Sequence, residues 1–129
     1  MDRKEIADKI RQSIIDKDKE LIVDTVDKLK DSIARFYIHD VALKAKYPEL
    51  SWKITTEPEG IKFNYKNTSL IVLLNQEDYK ITVSKKTADD ETVLDEIVAN
   101  NGKLTCHDGE FNIDEVDDYL AKCFATLLD

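Results

Sequence analysis

Glycine and proline are scarce in this chain. Three glycines and two prolines are scattered through 129 residues, too few for a flexible linker or a low-complexity tract. A single domain over residues 1–129 is the expected organisation. Gly60, Gly102 and Gly109 stand far apart, so no loop of the kind that cradles a phosphate is present. Cysteine occurs twice, as Cys106 and Cys123, without CxxC spacing. Histidine occurs twice, as His39 and His107, without HxxxH or HExxH spacing. With neither pattern, no metal, cofactor or catalytic residue is expected. The longest apolar run, "LIVLL" at residues 70–74, is far too short to cross a bilayer. The first residues, "MDRKEIADKIRQ", are charged from the second position and lack the apolar centre of a secretory signal. A reduced, cytoplasmic chain is the expectation.

Basic residues are nearly missing from the last third. The chain carries a net charge of −8, but unevenly. Residues 1–88 hold 17 bases against 15 acids, for +2. Residues 89–129 hold only Lys103 and Lys122 against 12 acids, for −10. That sign opposes direct nucleic-acid binding through this region and suits a partner with a basic surface.

Residues 2–47 contain neither glycine nor proline and are rich in helix formers, predicting a helical segment of one or two helices. Ile6, Ile10 and Ile14 recur every fourth residue. A second stripe of Ile22, Val26, Leu29, Ile33 and Phe36 follows at spacings of 4, 3, 4 and 3. One helix over all 46 residues would be about 69 Å long, against a radius of gyration of about 14 Å for a compact domain of this size. A break or bend near the charged run "DKDKE" at residues 16–20 is therefore expected, with the longer second helix packing on the domain core and Pro48 ending the segment; the alternative is a helix that projects and packs on a second chain. The second stripe has the spacing of a short coiled-coil seam, so either a monomer or a homodimer is expected, with these five residues as the seam.

After residue 50 the period changes from 3.6 to 2. "SWKITT", "GIKFNYK" and "YKITVSK" alternate apolar and polar, while "SLIVLLN" is apolar on both faces, as in a doubly covered strand. "EPEG" has the proline and glycine of a type I turn. "NG" at 101–102 has the residues of a type I′ hairpin between "DEIVAN" and "KLTC", although Val93, Leu94, Ile97 and Val98 also fit a helix. The expected fold is α+β: an N-terminal helical segment, an antiparallel meander of four to six strands across residues 50–106, and a C-terminal helix over 112–128 packed on the sheet.

The acid-rich stretch "LTCHDGEFNIDEVDDYL" at residues 104–120 invites three readings. As a calcium loop it fails: with Asp108 and Gly109 at loop positions 5 and 6, Leu104 and Cys106 fall where oxygen ligands are required. As a thiol–imidazole dyad, Cys106 and His107 are adjacent on a strand and point to opposite faces. As a helix start it fits well. "HDG" turns the chain, Asn112 caps with Glu115 as a capping box, and Phe111 and Val116 form a hydrophobic staple. Val116, Leu120, Cys123, Phe124 and Leu127 then make the buried stripe. Trp52, Phe63, Tyr65 and Tyr79 could stack bases, but alternation points them away from Lys53 and Lys62, as core residues.

A small acidic protein-binding module without catalytic activity is thus expected, of inhibitor, immunity or adaptor type. Its partner contact would be Asp89, Asp90, Glu91, Asp95, Glu96, Asp114, Glu115, Asp117 and Asp118. A nucleic-acid-mimicking inhibitor of a DNA- or RNA-binding enzyme, or a small ligand-binding domain or enzyme with an unidentified site, are the alternatives.

Overall fold

A computed structural model describes residues 1–43 and 47–128. Helix α1 runs over Arg3–Arg35 and closes in a π-helical segment, Phe36–Val41. Seven strands follow: β1 (Leu50–Thr56), β2 (Glu59–Tyr65), β3 (Thr68–Asn75), β4 (Lys80–Lys86), β5 (Glu91–Asn100), β6 (Lys103–Cys106) and β7 (Gly109–Glu110). Helix α2 (Glu115–Leu128) ends the described chain. The strands form one antiparallel meander in chain order. The α+β class and its sequence of elements are as expected, with one strand more than the largest expected number.

The N-terminal segment differs from expectation in two ways. It does not break at residues 16–20, because that charged run is the point where α1 meets two turns of the sheet. Asp18 accepts hydrogen bonds from the backbone N–H groups of Asn101 (3.0 Å) and Gly102 (2.8 Å), and the Lys19 ammonium lies 4.9 Å from the centre of the Tyr79 ring. The helix ends before Pro48 is reached: Ala42 turns left-handed (φ 50°), and its N–H closes on the carbonyl of Tyr37. Residues 44–46, the end of the expected helical segment, lie outside the described residues. The stripe packs on the chain's own core, as expected for the second part of the segment, rather than forming the alternative dimer seam. Ile22, Val26, Leu29 and Ile33 are at most 1% exposed, and Phe36 packs edge-on against Phe63, with ring centres 5.7 Å apart. A seven-strand sheet needs its apolar face covered, and this stripe covers it, so it is not open to a second copy.

The core lies between that sheet face and the two helices. Ile61, Phe63, Leu70, Val72, Leu74, Ile81, Val83 and Ile97 face α1 and the α2 residues Val116, Tyr119, Cys123 and Phe124. Phe63 meets Phe124 at 5.5 Å, so the expected core reading of that aromatic holds. Tyr79 is not on a strand but in the β3–β4 turn. β3 is covered by helices on one side only: Ile71 and Leu73 are half-buried on the other. The Asn101–Gly102 turn has positive φ at both residues, the type I′ hairpin. The β1–β2 turn is Glu57–Pro58 with a cis peptide, a type VI geometry where type I was expected. Gly60 then falls inside β2, where a Cβ would lie 1.9 Å from the carbonyl oxygen of Val72.

Residues 1–17 are all exposed, with Ile6, Ile10 and Ile14 on the surface of α1. The two halves of one helix should respond differently to mutation. Leu29→Ala should lower the free energy of unfolding by about 2–5 kcal/mol, and Ile10→Asn should change it by no more than about 0.5 kcal/mol, both measured by urea denaturation.

Candidate functional site

The chemistry-bearing side chains converge where β5, β6 and the start of α2 meet. Strand β5 carries an extra residue opposite Val83 and Ser84: Asp95 opposes Val83, Val93 opposes Ser84, and Leu94 is the bulge between them. Asp95 thus shares the inward face with Ile97, and its side chain is fully buried. A buried carboxylate needs hydrogen-bond donors, and three reach it. The backbone N–H of His107 donates to Oδ1 at 2.9 Å, the Tyr119 hydroxyl donates to Oδ2, and His107 Nδ1 lies 2.8 Å from Oδ2.

His107 can do this because it is not on a strand. β6 ends at Cys106, and His107–Asp108 is the two-residue turn into β7, with Gly109 left-handed at φ 111°. The opposite-face expectation for Cys106 and His107 therefore fails: the turn folds the imidazole back beneath the sheet edge. Its Nε2 lies 3.1 Å from Asp108 Oδ1 and 3.9 Å from Asp118 Oδ2, and Asp118 in turn pairs with Lys122 at 2.9 Å. Glu115 completes the group. One ligand-type atom from each of Asp95, Cys106, His107 and Glu115 lies within 4.8 Å of all the others.

Electrostatics follow from this crowding. Burial alone would raise the pKa of Asp95, but the hydrogen bonds from Tyr119 and His107 outweigh it and hold the carboxyl below its usual range. The hydrogen bond to Asp95 raises His107. Glu115 is raised, first by desolvation and then by Asp108 beside it. Burial and the carboxylates of Asp95, Glu115 and Asp108 raise the Cys106 thiol, which disfavours it as a free nucleophile. Tyr119 is pushed far up by burial and by Asp95, so it stays a neutral donor. Burial pushes Cys123 up to about 11.

Comparison with protein-family models, with curated proteins and with solved structures gave no match.

The nine acids expected to form a partner contact separate in space. Asp89 and Asp90 lie in the β4–β5 turn and Glu91 opens β5, all exposed. Asp114 and Asp117 are exposed at the start of α2, Asp118 is tied to Lys122, and Glu115 faces the cluster. Glu96 is exposed on β5 and pairs with Lys80 at 3.3 Å. Asp95 is no surface residue, because its inward register on β5 buries it. The start of α2 differs from the expected capping box: Asn112 Oδ1 accepts from the N–H of Asp114 (2.9 Å) rather than of Glu115, and α2 begins at Glu115 rather than near residue 112. Cys106 also lines a shallow open groove with Asp95 and His107, while His39 is exposed at the end of α1. An apolar pocket of about 230 Å³ lies between Phe36, Leu50, Tyr65 and Phe124.

Tyr119→Phe keeps the ring and removes one donor from a buried carboxylate. It should lower the unfolding free energy by about 1–3 kcal/mol, measured by urea denaturation, with the far-ultraviolet circular dichroism of the folded state unchanged.

Proposed function

We propose that this chain is a small cytoplasmic binding module for a protein with a basic surface, contacted by the acid-rich end of its sheet. The supporting observation is the meeting of part of these acids around the β6–β7 turn and the start of α2. The β4–β5 and β6–β7 turns point the same way, but β6 pairs only with residues 98–100, so the β6–β7 turn lies beside the middle of β5. Asp108, Glu115 and Asp118 meet around His107 at the start of α2, whereas Asp89, Asp90 and Glu91 lie further along β5 at the β4–β5 turn. His107 and Lys122 sit among the acids at the α2 start and are engaged by carboxylates, while Lys85 and Lys86 close β4 beside the β4–β5 turn, Lys86 opposite Glu91. An acid-rich surface speeds encounter with an oppositely charged partner and sets its orientation more than it adds affinity.

Other features fit the same reading. Cys106 and Cys123 are both free thiols, as suits a reducing compartment. Among the described residues no helix is long and apolar enough to cross a membrane.

The test is salt-dependent capture. Immobilised protein should retain a basic partner at low salt and release it near 0.5 M salt, where the screening length is about 3–5 Å. A variant combining Asp89→Asn, Asp90→Asn and Asp117→Asn should bind that partner at least tenfold more weakly, chiefly through slower association. Equal binding by the variant, or no basic partner retained at low salt, would refute the reading.

A further inference from the structure

The geometry points to a second property of this end of the fold: Asp95, Cys106, His107 and Glu115 form a binding site for a zinc-class divalent cation. The donor set is chemically selective. One thiol, one imidazole and two carboxylates suit a borderline-soft ion such as Zn²⁺, whereas Ca²⁺ and Mg²⁺ take oxygen ligands almost exclusively. The spacing is close to that of a filled site. Bonds of about 2.0–2.3 Å in a tetrahedron place neighbouring donor atoms about 3.3–3.8 Å apart, and all four donors already lie within 4.8 Å of one another. An ion entering the cluster draws Cys106 and Glu115 inward by about 1 Å or less and opens the 2.8 Å contact between Asp95 and His107 Nδ1 by about half an ångström.

Surrounding groups already have the arrangement that supports metal ligands. A ligating histidine commonly donates its other ring N–H to a carboxylate. With Nδ1 turned toward Asp95, Nε2 lies 3.1 Å from Asp108. Asp95 is itself fixed by the Tyr119 hydroxyl and the His107 N–H, which leaves one lone-pair direction on each of its two oxygens, that of Oδ2 facing His107 Nδ1 being the one for an ion. The ligands come from β5, β6, the turn after β6 and α2, so the ion would clamp the α2 start to the sheet. Coordination exchanges the Cys106 S–H bond for a sulfur–metal bond. It releases that proton to solvent, along with any proton held by His107 Nδ1 or Glu115. No change of oxidation state is involved.

The full chain, free of any histidine tag and stripped with chelator, tests this with Co²⁺ as a spectroscopic probe and Zn²⁺ as competitor. One Co²⁺ per chain should bind, with a thiolate-to-cobalt charge-transfer band and ligand-field absorption of tetrahedral type, and Zn²⁺ should displace it. Zn²⁺ should also raise the melting temperature. Cys106→Ser should abolish the charge-transfer band and weaken binding at least tenfold. Glu115→Gln, at a partly exposed position where folding is least at risk, should weaken binding while keeping the band. His39→Gln should change neither. Absence of saturable binding overturns the site, as does a Co²⁺ spectrum without thiolate character or one lost in His39→Gln but kept in Cys106→Ser. Circular dichroism of each variant confirms folding, and if Cys106→Ser is unfolded the Glu115→Gln affinity decides.

Discussion

One buried carboxylate organises the second half of this fold. Asp95 faces inward on β5 with no water to solvate it, and an ionised group there must be supplied with donors by the chain itself. The donors come from the turn after β6 and from the second turn of α2. Satisfying Asp95 therefore fixes the course of the His107–Asp108 turn, the short seventh strand beyond it and the angle at which α2 lies on the sheet. Apolar residues alone would place α2 on the sheet only approximately. The hydrogen-bonded carboxylate selects one placement, because any other leaves a buried charge unpartnered.

The elements of the fold were legible wherever the signal was local. Ile61, Phe63, Ile81 and Val83 alternate with polar neighbours and face the core, and the Asn101–Gly102 pair makes the turn its residues demand. What escaped depends on residues far apart in the chain. Nothing within "DKDKE" reveals that Asp18 will bind a turn more than eighty residues later, so a continuous helix read as a broken one. The stripe from Ile22 to Phe36 showed that a face would be buried, but periodicity cannot say against which partner.

The candidate site was the least legible part, for a related reason. Asp95 lies in "DEIVAN" among acids that are exposed, and only the bulge and strand register decide that it points inward while Glu96 points out. Tyr119 carried no marker beyond its place on an amphipathic helix. The turn at "HDG" was the one usable clue. It removes His107 from strand alternation, and so removes the reason for keeping it apart from Cys106.

The fastening of Asp18 to the Asn101–Gly102 turn also orders assembly in time. Each strand pairs with the next one in the chain, so the sheet can grow by a succession of short loop closures at modest entropic cost. The seat of α1 is different: it needs β2, β3 and β5 already side by side, and its outermost anchor does not exist until residue 102 has been made. Helix α1 thus precedes in the chain every strand it docks on, and its seat is complete only after the β5–β6 turn has formed.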